Sequence, residues 1–202
     1  MHILSVFANI AQNFQIMELK DYLDNFEEKL QQEILRLCTN YRFLDGKLLA
    51  TDDIDDYWQV LAPEYIADAV EQVQEYPTVS VAWAAYLGIA VAFGWDIDWN
   101  TISKAKYKDF YGEQGFDDMD EHLIRDVVGI PLDSEEAKNL EEMIRKCAQK
   151  AIALIRHEQI EPQSPVAFHV FTRAVRVMYR TGAAIQLKRM GYKFEKVNLG
   201  DC

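Results

Sequence analysis

Eighteen consecutive residues, 78–95, carry no charged side chain, and this segment restricts the possible folds more than any other part of the sequence. A helix that is apolar on every side has to be surrounded by other helices or by lipid. On a helical wheel, Val81, Ala85, Gly88 and Ala92 share one face, and such small side chains would let a neighbouring helix come close. We therefore predict that this segment is the central helix of a helical domain.

The alternative for segment 78–95 is a membrane span. A span needs about twenty apolar residues, and this segment is slightly shorter and rich in Ala and Gly. Residues 48–103 contain no Lys or Arg that could set its orientation in a bilayer. The sequence favours a buried helix in a protein that does not enter the membrane.

The rest of the chain shows apolar residues at helical spacing, and no long window alternates with a period of two. The predicted elements are a short helix over 3–14, a long amphipathic helix over 19–41, one helix from Asp52 and another from Pro63, the central helix, short helices near 101–111 and 117–128, and long helices over about 135–157 and 165–190. We predict an all-α bundle of about seven to nine helices forming one domain over residues 1–202. The tail after about Lys196 is expected to be disordered.

The cysteines and the first residues of the sequence bear on the compartment. Cys38, Cys147 and Cys202 form no closely spaced pair, and the first two lie on predicted apolar helix faces. This usage is typical of a reducing compartment. No Lys or Arg precedes Lys20, and polar residues interrupt the first apolar run, so no secretory signal is predicted. We expect a cytoplasmic protein.

The net charge of −12 is distributed unevenly along the chain. Residues 48–103 contain ten acidic side chains and no basic one, whereas residues 138–202 contain twelve basic and six acidic side chains. Such polarity bears on partners more than on fold, and the overall negative charge argues against nucleic acid. The leading hypothesis is a non-enzymatic binding protein. Its acidic surface, residues 52–75 and 117–126, would engage a basic protein or a second copy of the chain.

Two acidic clusters support an enzymatic alternative. Residues 52–56 fit an Asp-Asp-x-x-Asp pattern, and residues 117–121 fit Asp-Asp-x-x-Glu. Carboxylates at this helical spacing can bind Mg²⁺, which then contacts substrate phosphates. The candidate metal ligands are Asp52, Asp53, Asp56, Asp117, Asp118, Glu121 and His122. Acidic residues are also favoured in the first turn of any helix by its dipole.

Two Asp-rich helices in a helical bundle resemble the arrangement in isoprenyl diphosphate synthases, which bind diphosphate through metal between two such helices. The resemblance is limited to these two clusters, and neither has a flanking basic motif. It implies a Mg²⁺-dependent enzyme acting on a diphosphate. Outside this alternative no cofactor is predicted, because the chain has no His-Glu-x-x-His motif and no Gly-rich phosphate loop.

Three arginines, Arg173, Arg176 and Arg180, lie on one stripe of the last predicted helix. As an anion contact they would hold the phosphates of the enzymatic alternative. The other interpretation is internal: the last helix would lie beside the acidic segment 48–75, with its arginines facing the aspartates. Exposed pairs of this kind would select a neighbouring helix more than stabilise the fold.

A third hypothesis is a small-molecule pocket lined by aromatic residues around the central helix. The candidate residues are Trp83, Tyr86, Trp95, Asp96, Asp98 and Trp99. For the two aspartates, which follow the predicted end of the apolar helix, the alternative role is to cap the next helix. The three hypotheses differ in whether the acidic clusters, the tryptophans and the arginines converge.

Overall fold

The computed structural model describes residues 2–193, with side chains from Met17 onward. This range is all-helical and contains no strand. The helices are α1 (His2–Asn40), α2 (Asp52–Gln72), α3 (Pro77–Ile102), α4 (Met119–His122), α5 (Glu135–His157) and α6 (Pro165–Arg189), with a short 3-10 helix at Tyr107–Phe110 and a π-helical turn at Leu123–Val127. The predicted all-α class is confirmed. The tail after Lys196 and Cys202 lie outside the described range.

The count of seven to nine helices is wrong, because several predicted breaks do not occur among the described residues. Helix α1 is continuous from His2 to Asn40. Pro63 lies inside α2 instead of starting a new helix. Pro63 and Gln59, four residues earlier, are both exposed, so the carbonyl that loses its helical hydrogen bond faces water. The predicted central helix 78–95 is part of a longer helix, Pro77–Ile102.

Three other predicted helix starts, those of α2, α5 and α6, are present. Thr51 Oγ1 accepts a hydrogen bond from the Ile54 amide at 3.2 Å at the start of α2. Ser134 caps α5 and Ser164 caps α6, each through a hydrogen bond of 3.1 Å from the amide three residues later. Both α3 and α6 begin with a proline. Proline is favourable there because a backbone N–H at the first helical position has no partner inside the helix.

Side-chain contacts fix the direction of α1 relative to α5 and α6. Tyr22 Oη donates to Glu158 at 2.9 Å, just past the last residue of α5. Further along α1, Glu33 contacts Lys150, which lies earlier in α5, at 2.8 Å. The two helices are therefore antiparallel, and α6, which follows α5 through a short connection, runs parallel to α1.

Helices α2 and α3 complete the bundle. Asp53 near the start of α2 accepts from Trp95 near the end of α3, and Tyr65 Oη later in α2 donates to the Ser80 carbonyl earlier in α3 at 3.0 Å. Helix α2 is therefore antiparallel to α3. Tyr192, just after α6, donates to Asp96 near the end of α3, so α3 runs parallel to α6. The N-termini of α1, α3 and α6 therefore lie with the C-termini of α2 and α5 at one end of the bundle, which we call the first end.

The centre of the bundle is a pair of helices, α3 and α6, where the sequence predicted one. Helix α6 contacts α1, α2, α3 and α5, and α3 contacts α2, α5 and α6. The small-residue face of α3 lies against α6. A Cβ on Gly88 would overlap the Tyr179 carbonyl oxygen and lie 2.9 Å from the Ala183 amide nitrogen. A Cβ on Gly182 would overlap the Ala85 carbonyl in the same way.

By length and composition, α3 is the one described helix that could cross a membrane, and 67% of its most apolar window is buried inside the protein. Such burial is typical of a core helix, and the protein surrounds this one with α2, α5 and α6. The absence of a membrane partner and the cytoplasmic location stay predictions.

We expect Gly88→Ala to destabilise the protein by about 3 kcal/mol or more, because the new methyl group meets backbone atoms that cannot move independently. Urea unfolding followed by circular dichroism measures the change. Gly94→Ala is the matched control, because its Cβ would meet only the Ile102 side chain. Equal losses of stability in the two variants would contradict the close backbone contact.

Candidate functional site

The three arginines of α6 are used inside the protein. Arg173 pairs with Asp24 at 2.9 Å and also with Glu27, and Arg176 lies 3.7 Å from the same Glu27. Both acidic partners belong to α1. These two arginines therefore hold α6 against α1, and both have carboxylate partners within the protein.

Arg180 supplies the contact that was expected between the last helix and the acidic segment. Its Nε lies 3.2 Å from Asp55 Oδ1 of α2, and its Nη1 donates to Gln31 of α1 at 3.2 Å. Arg180 thus connects three helices. One of the three arginines therefore meets the acidic segment 48–75, and the other two pair with α1.

The first acidic cluster, residues 52–56, is divided between two roles. Asp53 accepts from Trp95 Nε1 at 3.1 Å, and Asp55 faces Arg180. Asp52 and Asp56 point outward, with no hydrogen bond or ion pair to another described side chain. Three carboxylates of this cluster therefore do not converge on one point.

The second acidic cluster, residues 117–121, has local partners of its own. Asp118 accepts from the Gln114 amide at 3.0 Å, while Asp117 and Glu121 are exposed. His122 Nδ1 lies 3.1 Å from Asp126, one helical turn further along. His122 is therefore positioned by Asp126 instead of by Asp118.

The two clusters lie at different levels of α3. Asp53 contacts Trp95, whereas Trp83 donates to the Phe116 carbonyl, next to the second cluster, at 2.8 Å. Trp83 and Trp95 are separated along α3 by about 18 Å at 1.5 Å per residue. Among residues 17–193, no three His, Cys, Asp or Glu side chains are grouped to hold a metal ion. The geometry required by the magnesium hypothesis is not present there.

The tryptophans do not line one pocket either. Trp95 packs edge-on against Tyr192 at 5.6 Å, and Tyr192 Oη donates to Asp96 at 2.6 Å. Trp99 packs in the same way against Tyr57 at 5.6 Å. These contacts close the far end of α3 with aromatic packing.

Asp98 is a capping residue. Its backbone leaves the helical conformation (φ −157°, ψ 81°), and its carboxylate accepts from the Thr101 amide at 3.2 Å and from the Thr101 hydroxyl at 2.5 Å. The hydrogen bonds from Thr101 lower the pKa of Asp98. The capping alternative is thus correct for Asp98, which restarts the final turn of α3.

Trp83 and Tyr86 line a small pocket between α3, α4 and α5, of about 340 Å³. Asp120 and Glu141 contribute carboxylates to this pocket, and Arg145 contributes a cation. Burial, with the negative charges of Glu121 and Glu141, raises the pKa of Asp120 to about 6. Asp120 belongs to the second acidic cluster but is not one of the acidic positions of the Asp-Asp-x-x-Glu pattern. Only the packing of α4 shows that Asp120 lies at this pocket.

A larger cavity was not predicted from the sequence. It is an open groove of about 870 Å³ at the first end of the bundle, between α2, α3, α5 and α6. Its lining, which we call the apolar groove, includes Val70, Val73, Pro77, Ile155, Ile160 and Phe168. Arg156 is the one charged residue among the residues that line it. The lining comes from two stretches far apart in sequence, residues 70–77 and 152–171, so no contiguous motif could have indicated the groove.

A second surface lies on the outer side of α2. Five carboxylates, four in α2 and one in the turn that follows it, have no hydrogen bond or ion pair with another described side chain: Asp52, Asp56, Glu64, Glu71 and Glu75. Exposed apolar residues lie between them, and Val60 is 60% exposed. We call this surface the acidic face of α2.

Comparison with protein-family models, curated proteins and solved structures finds no match to this chain. Any function must therefore be argued from these surfaces.

We expect Glu27→Gln to destabilise the protein by roughly 1–2 kcal/mol, because it weakens the pairing of both Arg173 and Arg176 in a mostly buried position. Chemical denaturation at low and high salt measures the effect. Glu28→Gln is the adjacent control, since exposed Glu28 contacts only Gln32, and its effect should stay within about 0.5 kcal/mol. Similar losses in both variants would argue against the proposed link between α1 and α6.

Asp120 makes the stability depend on pH in a defined direction. Its pKa is higher in the folded protein than its ordinary value of 3.8, so ionisation opposes folding increasingly from about pH 4 to pH 6 and fully above that. We expect Asp120→Asn to stabilise the protein by about 1–2 kcal/mol at pH 7.5, after solvent screening, and very little at pH 4. Thermal unfolding at the two pH values tests this. The exposed neighbour Asp117→Asn should show no comparable difference.

Proposed function

We propose that this protein is a non-enzymatic binding protein whose acidic face of α2 engages a basic amphipathic helix. The observation that carries the proposal is the set of five carboxylates without partners along the outer side of α2 and the turn that follows it. Elsewhere, the acids that meet α6 are neutralised by its arginines. The acidic face of α2 keeps its charge available for another molecule.

The composition of the acidic face matches a helix that carries both basic and apolar residues. Val60 is 60% exposed and lies on the same outer side of α2 as the carboxylates. Exposed apolar side chains would bury the apolar stripe of a partner helix, while the flanking acids would pair with its Lys or Arg. Charges at the rim of such a contact mainly raise the association rate and select the partner.

Rigidity favours recognition by this face. Helix α2 is held on its inner side by Tyr65, which is fully buried and bonded to the Ser80 carbonyl, and by Trp58, which stacks on Tyr179 at 4.7 Å. The Tyr179 hydroxyl in turn donates to the Ile54 carbonyl at 2.9 Å. A surface on such a fixed helix can bind without ordering itself first, which reduces the entropy lost on association.

The test uses a synthetic amphipathic helix of Lys and Leu as the probe, with binding to the full chain measured by fluorescence anisotropy at several salt concentrations. Replacement of Glu64, Glu71 and Glu75 by Gln should weaken binding about tenfold at low salt. Binding to the unaltered protein should also weaken as salt rises, because salt screens exposed charges.

The control variant removes the same number of charges from other exposed positions, through Glu18→Gln, Asp21→Asn and Asp133→Asn. We expect it to bind the probe almost as well as the unaltered protein. Equal weakening in both triple variants would mean that net charge, and not the acidic face of α2, attracts the helix. Binding that does not change with salt would also contradict the proposal.

A further inference from the structure

The first end of the bundle exposes apolar side chains that an ordinary surface would cover. Phe168 is 46% exposed and Val70 is 39% exposed at the rim of the apolar groove. Ile155 and Ile160 continue the apolar lining across the end of α5. A contiguous apolar surface of this kind typically marks a binding site for another apolar surface.

Helix α1 leaves the bundle at this same end. Asp24 is level with Arg173, because the two side chains pair, and α6 begins eight residues earlier, at Pro165. Residue 16 of α1 is therefore level with the start of α6, since the two helices are parallel. Helix α1 starts at His2, so residues 2–16, which we call the arm, extend about 20 Å beyond the start of α6 at 1.5 Å per residue.

The sequence of the arm is unsuited to standing alone in water. No charged residue occurs before Glu18, and Ile3, Phe7, Ile10 and Phe14 recur at helical spacing. An amphipathic helix of this length is marginal by itself and needs its apolar stripe covered. The arm requires a partner surface, and that surface need not carry charge.

We propose that the arm of one copy of this protein docks in the apolar groove of a second copy, and that the exchange is reciprocal in a two-fold symmetric dimer. Both elements lie at the same end of the bundle, so two copies meeting end to end bring each arm to the other's groove. The uncharged arm matches a lining with Arg156 as its one charged member. Helix α1 is unbroken from His2 to Asn40, so an arm cannot turn back to its own groove.

Sedimentation velocity over a range of concentrations gives the first test. The unaltered full chain should be a dimer, and Phe7→Asp in the arm and Phe168→Asp in the groove should each raise the dissociation constant at least tenfold. Ile97→Asp is the matched control: Ile97 is also strongly exposed but lies at the opposite end of the bundle, so this variant should remain dimeric. Circular dichroism confirms that each variant is folded.

A mixing experiment distinguishes the reciprocal exchange from other dimers. The Phe7→Asp chain keeps an intact groove, and the Phe168→Asp chain keeps an intact arm. An equal mixture should therefore form a heterodimer through one remaining arm–groove contact, at concentrations where each variant alone is monomeric.

Three results would overturn the proposal. A monomeric unaltered protein at all concentrations would remove it directly. A Phe168→Asp chain that still dimerises, alongside a monomeric Phe7→Asp chain, would show that the arms pair with each other. A mixture that stays monomeric would show that the arm and the groove do not bind. None of these outcomes bears on the acidic face of α2, which is tested separately with the Lys and Leu helix.

Discussion

The backbone contact between α3 and α6 is the constraint on which the rest of the structure depends. Gly88 and Gly182 bring the two helices very close together. A methyl group on Gly88 would overlap the Tyr179 carbonyl oxygen of α6, and one on Gly182 would overlap the Ala85 carbonyl oxygen of α3. Helix α6 also contacts α1, α2 and α5, and Tyr179, whose backbone lies against Gly88, donates its hydroxyl to the Ile54 carbonyl in α2 at 2.9 Å. A wider spacing would break that hydrogen bond and leave a buried polar group unpaired, which is costly in a protein interior.

The central position of α6 also decides which charges are left for other molecules. Because α6 is in contact with four other helices, its arginines can be accommodated only at the gaps between those helices, where they reach acidic partners. Arg173 and Arg180 do so by pairing with Asp24, Glu27 and Asp55. The outer side of α2 receives no such partner, because residues 48–103 supply no basic side chain and α6 lies on the inner side. The acidic face of α2 is thus a consequence of how α6 is buried.

Much of the fold could be predicted because it depends on local chemistry. The caps at Thr51, Ser134 and Ser164 are set by hydrogen bonds over three residues, which a sequence states directly. Pro63 shows the limit of such reasoning. Proline favours a helix start, but the interior of α2 tolerates it because the affected carbonyl faces water, and exposure is not visible in the sequence. The candidate site was less predictable: the acidic residues were found, whereas the apolar groove is assembled from two stretches far apart in sequence, residues 70–77 and 152–171.

The sequence by itself determined the helical class, the helix starts, the small-residue face of α3 and the uneven charge, since each depends on residues close together in the chain. Only the tertiary structure decided that the arginines of α6 are internal partners, that the two acidic clusters lie at different levels of α3, and that the tryptophans do not share a pocket. Those outcomes depend on the direction and level of each helix in the bundle. Helix direction and level are set by packing between residues far apart in sequence, of which the glycine contact between α3 and α6 is the closest example.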